Sequence, residues 1–90
     1  MQFEWDENKR RSNIEEHGFD FILAARLFDG RPRLDAVSPR RGEHRILSIG
    51  EIDGVVIAAA WTQRGESICR IISVRRARYA EERQYREVFG

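Results

Sequence analysis

Residues 45–62 hold two runs of β-forming side chains on either side of Asp53-Gly54. A two-residue type I′ hairpin turn needs positive φ at both central positions, and Asp-Gly is one of the few pairs that adopt it readily. On one side, Arg45 to Ile52 places Ile46, Ser48, Gly50 and Ile52 on one face and Leu47 and Ile49 on the other. On the return, Val55 to Thr62 is almost wholly apolar, the pattern of a central strand covered on both faces. Gln63-Arg64-Gly65-Glu66 turns the chain again, and Ser67 to Val74 supplies a third long strand. A middle strand with two apolar faces cannot face water, so the segments before and after it must cover it.

Those segments read as helices. Phe3 to Trp5 is a short strand, and Asp6 then caps a helix over Glu7 to His17 that Gly18 stops. Asp20 caps a second, shorter helix whose apolar face holds Phe21, Ala24, Ala25 and Phe28, and Asp29-Gly30-Arg31-Pro32 breaks it. Leu34 to Val37 enters the next loop as an edge strand, with Pro39 and Gly42 in that loop. From about Arg76 to Phe89 the pattern turns helical again. The expected fold is α+β: an antiparallel meander sheet packed against N-terminal and C-terminal helices, in one domain over residues 1–90.

Several function classes drop out. The longest apolar run, Val55 to Trp61, falls far short of the roughly 20 residues a bilayer crossing needs, so no membrane association is expected. The start, Met1-Gln2-Phe3-Glu4-Trp5-Asp6, has neither a basic nor an apolar leader region, and Cys69 is the single cysteine, so the expectation is a cytoplasmic chain with a buried thiol. Only His17 and His44 are histidines, which leaves no zinc spacing, and no Gly-rich phosphate loop follows a strand; no metal or cofactor is expected.

Charge is unevenly spread. Residues 1–30 carry four bases against seven acids, whereas residues 64–86 carry seven arginines against three glutamates. Fifteen of the sixteen basic residues are Arg. A planar guanidinium grips phosphate at two points and stays charged when partly desolvated, so an Arg-loaded C-terminal half points to a phosphate-bearing ligand. An arginine-rich proteome would produce part of the same bias. The charged groups collect at strand ends: Glu43, His44 and Arg45 before one strand, Arg64 in a turn, Arg70 within the last strand, and Arg75, Arg76 and Arg78 after it. In a meander, Arg45 lies beside Thr62 and Arg64, and Arg75 lies at the opposite end of the sheet. Cutting RNA without a metal requires a base for the 2′-OH, cations for the phosphorane and an acid for the leaving oxygen. Glu43 or His44 has the chemistry of the base, the arginines that of the cations, and Trp61, Tyr79 or Tyr85 could stack a nucleobase. The plainer alternative is a set of solvated surface ion pairs.

The order Phe3-Glu4-Trp5-Asp6, Lys9, Asn13, His17-Gly18, Phe21, Ala24-Ala25 and Phe28-Asp29 resembles the opening of the BrnT toxin family. Glu43 and Arg45, Ile49-Gly50, Thr62 and Arg64, the block Arg70 to Arg75, Ala77, Glu82-Arg83 and Tyr85 continue the likeness over nearly the whole chain. The resemblance implies a RelE-like ribonuclease, the toxin half of a bacterial type II toxin–antitoxin pair, which cleaves RNA and arrests growth. It also implies a partner, a BrnA-like ribbon-helix-helix antitoxin, joined to the toxin as a heterotetramer that reaches operator DNA only through the antitoxin. Functional weight falls on Glu43, Arg45, Arg64 and Arg75 as catalytic residues, with Arg70 and Thr62 beside them, and His44, Trp61 and Arg78 as further RNA contacts. The chain departs from the family at two places: an Asp-x-x-His stretch is expected before Glu-x-Arg, and Asp35-Ala36-Val37-Ser38-Pro39 has no His, while the family's Ser-Ala-Arg is Ser73-Val74-Arg75 here, a small change. A weakened toxin homologue that binds RNA or antitoxin without cutting is therefore the alternative.

Overall fold

The computed structural model describes residues 1–40 and 43–90, and side chains within 1–37 and 44–90. In chain order the elements are β1 (Gln2–Glu4), α1 (Glu7–His17), α2 (Ile22–Arg26), β2 (Leu34–Arg40), β3 (Glu43–Ile52), β4 (Val55–Arg64), β5 (Ile68–Arg76) and α3 (Tyr79–Phe89). They build one five-stranded sheet in the order β1-β5-β4-β3-β2. The expected turn forms, with Asp53 at φ 50° and Gly54 at φ 84°, so β3 and β4 pair antiparallel from Ile52↔Val55 to Ile46↔Trp61.

Two expectations need correcting. The sheet is mixed: β2 to β5 pair antiparallel, but β1 lies parallel to β5. Helix α1 separates β1 from the rest and returns the chain to the far side, a connection that sequence patterning does not reveal. Strand β2 also runs through Pro39, which was expected in a loop and instead pairs with His44. An edge strand tolerates a residue that cannot donate to the ladder. Gly42 lies outside the described residues.

Both faces of β4 are covered, as its apolar run requires. Ile57, Ala59 and Trp61 pack with Phe21, Ala24 and Leu27 under α1 and α2, while Val56 and Ala58 pack with Ile49 and Tyr85 of α3. Leu27, outside the expected apolar face of the second helix, is fully buried, whereas Ala25 is only half-buried. Cys69 is buried in the larger cluster, and burial pushes its thiol up to about 12, so it is an inert packing residue. Arg86 of α3 reaches Glu51 of β3 at 2.8 Å. Among the described residues no helix is long and apolar enough to cross a membrane.

Helix α1 begins as expected, with Asp6 Oδ1 accepting from the N–H groups of Asn8 (2.8 Å) and Lys9 (3.2 Å). Its sequence has no apolar stripe, and its one buried residue is polar. Asn13 Nδ2 donates to the carbonyls of Val74 (2.7 Å) and Phe19 (2.8 Å), and its Oδ1 accepts the N–H of Val74 (3.0 Å). Strand β1 covers the edge of β5 only as far as Arg70. Beyond it, Asn13 supplies the hydrogen bonds that a neighbouring strand would make. Just before Val74, β5 carries a bulge: Ala60 pairs with Ser73 but Trp61 with Ile71, leaving Ile72 extra. A bulge of one residue exchanges the faces of everything beyond it. It sends Val74 into the larger core and Arg75 to the opposite face.

Two predictions follow from this packing. Asn13→Ala leaves the Val74 N–H and two carbonyls without partners and is expected to cost about 2–4 kcal/mol in urea unfolding, since each buried orphan costs about 1–3 kcal/mol; an unchanged midpoint would show the bracket to be dispensable. At Gly50 an added Cβ would sit 2.7 Å from Leu27 Cδ2 and 3.3 Å from the Pro32 carbonyl oxygen. Gly50→Ala should therefore destabilise by about 1–3 kcal/mol, and a denaturation curve superimposing on wild type would contradict that close approach.

Candidate functional site

The α3 side of the sheet carries Arg45, Arg64, Arg70 and Arg75, whereas Arg76 pairs with Ile57 of the larger cluster and faces the other way. Paired residues share a face. Thr62 pairs with Arg70, Ala60 with Ser73, and Ala58 with Arg75, and Ala58 is packed against α3. Strand alternation puts Arg45 on this side with Leu47, and Arg64 with Thr62. Helix α3 lies over the Ile49, Val56 and Ala58 end only. Beyond it the face opens into a hollow of about 340 Å³, lined by Arg45, Ile46, Leu47, Ala60, Ser73, Arg75, Arg78 and Glu81.

The backbone separation expected for Arg45 and Arg75 is present: Ile46, next to Arg45, pairs with Trp61, while Arg75 pairs with Ala58. Their side chains nevertheless line the same hollow, because long guanidinium arms cross the intervening rows and the bulge sets both on one face. Arg78 joins them from the start of α3.

Glu81 organises that corner. Its carboxylate takes a two-point grip from Arg75, Nη1 to Oε1 at 2.7 Å and Nη2 to Oε2 at 2.9 Å, and Oε1 also accepts the Arg78 backbone N–H at 2.8 Å. The hydrogen bonds from Arg75 hold the Glu81 carboxyl below its usual range, and Glu81 in turn raises Arg75. Sequence reasoning passed over Glu81. The signal was there: a Glu three residues after the residue that precedes a helix is the capping-box position.

The remaining expected site residues fall elsewhere. Arg70 is engaged with Glu4 of β1. Thr62 Oγ1 donates to the His44 carbonyl at 3.0 Å. Arg64 is exposed at the end of β4, opposite Ile68 and away from the hollow. His44 is exposed, and alternation with Arg45 sets it on the other face of β3. Trp61 is corrected as a stacking platform: it is 6% exposed within the α1/α2 core, and its Nε1 donates to Ser48 Oγ at 2.8 Å. Ser48 in turn donates to Asp35, which Arg33 also holds, so the indole ends a polar chain across three strands. Tyr85 is buried as well, whereas Tyr79 is 82% exposed beside Arg78. The Glu43 side chain lies outside the described residues. Among the described residues no three His, Cys, Asp or Glu side chains come together in a group that could hold a metal ion.

Residues 5–81 match the family described as the ribonuclease toxin, BrnT, of type II toxin-antitoxin systems. The structure is similar to the crystal structure of the Brucella abortus ribonuclease toxin, BrnT, at a TM-score of 0.67 and 35% sequence identity. That match covers 87% of this chain and 97% of the Brucella chain. No curated protein sequence matches. A family match running from Trp5 to Glu81 takes in β2 to β5, α1, α2 and the arginine-lined hollow, and the chain belongs to the BrnT family of ribonuclease toxins.

Proposed function

We propose that this chain is a cytoplasmic, metal-independent endoribonuclease of RelE-like type, neutralised by a BrnA-like ribbon-helix-helix antitoxin. The observation that carries the reading is the meeting of Arg45, Arg75 and Arg78, from three separate elements, in one open hollow. A single-stranded RNA lies across the α3 side with its scissile phosphate in that hollow. Glu43 takes the proton from the 2′-OH, whose oxygen attacks the adjacent phosphorus. The P–O5′ bond breaks, leaving a 2′,3′-cyclic phosphate and a 5′-OH; a solvent water protonates the departing oxygen, and the hydroxide it leaves takes back the proton that Glu43 removed. Arg45 and Arg75 hold the charge that builds on the phosphorane, a stabilisation that a partly desolvated site makes larger than water would. Arg64, Arg70 and Thr62 extend the surface along the strand ends and contact flanking phosphates, and Tyr79 replaces Trp61 as the stacking group.

The exposed Val88 (60%) and Phe89 (42%) at the end of α3 give the antitoxin an apolar contact. Two antitoxins joined through their DNA-binding domains then carry two toxins, a heterotetramer that meets operator DNA through the antitoxin alone.

A second reading, a binding module with weakened catalysis, is favoured by one specific feature. Asp35, the acid of the family's Asp-x-x-His stretch, is committed to Ser48 and Arg33, and among the described residues no imidazole lines the hollow.

The partner-free protein is expected to cut a single-stranded RNA in the presence of EDTA. Folded wild-type protein that leaves RNA intact, yet still captures its antitoxin, would decide for the binding module. Arg75→Ala and Arg45→Ala should each slow cleavage by about a hundredfold, the usual effect of removing one donor from a developing oxyanion, with circular dichroism unchanged. Full activity in both variants would move the reaction away from this hollow.

A further inference from the structure

Two ion pairs of α3 residues differ sharply in exposure. Arg83 and Glu87, on its outer surface, are 67% and 64% exposed, whereas Arg75 and Glu81 are 22% and 18% exposed. The first is screened by water and is worth little. The second keeps a two-point geometry in a partly dry corner. A guanidinium has five N–H donors. In Arg75, Nη1 serves Glu81 and the Arg76 carbonyl (3.3 Å), and Nη2 gives one donor to Glu81. Nε–H and the second N–H of Nη2 are left without a partner among the described residues. These two lie on one edge of the guanidinium plane and form a second fork, spaced for two oxygens of a phosphate.

We propose that Glu81 is a positioning residue of the ribonuclease site, clamping one edge of Arg75 so that the other edge is presented to the scissile phosphate. This rests on the ribonuclease reading above and adds the residue that orients its cation. Glu81 is not the base. Held by Arg75, its carboxylate binds protons less readily than an ordinary glutamate, and its Oε1 is already shared with the Arg78 N–H.

Glu81→Gln separates orientation from helix capping. A glutamine at this position still accepts the Arg78 N–H, but its NH₂ group meets an N–H of Arg75 and breaks the two-point grip. Single-turnover cleavage of a short RNA and binding of its 2′-O-methyl analogue are measured for wild type, Glu81→Gln, Arg75→Ala and the double variant. Cleavage by Glu81→Gln is expected to slow about ten- to hundredfold, as for a misplaced catalytic group, with analogue affinity within about threefold and an unshifted pH profile. The double variant is expected to match Arg75→Ala alone, because Glu81 acts through Arg75. Arg75→Lys, which keeps the charge without the second fork, should lose cleavage to a similar degree. Wild-type cleavage by Glu81→Gln or by Arg75→Lys, or effects that multiply in the double variant, would overturn the positioning role while leaving the ribonuclease reading in place. A wild type that does not cut RNA would instead remove the ribonuclease reading and this role together.

Discussion

The Asn13 amide gripping both the N–H and the carbonyl of Val74 is the contact on which the rest of this structure depends. It lies where β1 has ended and β5 would otherwise show water an open edge. It also lies immediately after the bulge at Ile72, so the irregular segment is anchored where its hydrogen bonding is weakest. A buried side-chain amide with satisfied bonds on both of its groups specifies one arrangement, since any shift of the strand leaves polar atoms orphaned. With that register held, Val74 fills the core and Arg75 turns to the other face.

The two faces of the sheet therefore differ in how they are covered. One is filled by aromatic and aliphatic side chains from α1, α2 and the strands. The other is packed only where Tyr85 and its neighbours touch Ile49, Val56 and Ala58. The short α3 leaves the rest of that face open, and there the arginines of β3, β5 and the α3 start converge. Many other arginines have structural duties: Arg26 pairs with Asp53, Arg31 with Asp29, Arg33 with Asp35 and Arg86 with Glu51. An arginine-rich composition is thus explained in good part by surface pairing, and only a few arginines share the hollow.

Membership in the BrnT ribonuclease toxin family agrees with that division. A reaction on a phosphodiester needs cations held ahead of time, because reorganising solvent or flexible side chains during the reaction costs rate. Here a carboxylate on α3 holds the Arg75 guanidinium at two points.

Local chemistry was legible in the residues themselves. Asp53-Gly54 sets the hairpin, Asp6 starts α1, and the apolar run from Val55 makes β4 central, because each depends on neighbours a few positions away. The ordered landmarks likewise pointed to the family. Tertiary structure alone decided that β1 runs parallel to β5, that Ile72 bulges, that Trp61 is buried beside Ser48, and that Glu81 clamps Arg75. Each of those joins residues far apart in the chain, or turns on which face a strand presents. A single extra residue in β5 reverses that choice, and no alternation pattern in Ser67 to Val74 announces it, because the partners that meet the strand on either side of the bulge, β4 and Asn13, lie on other elements.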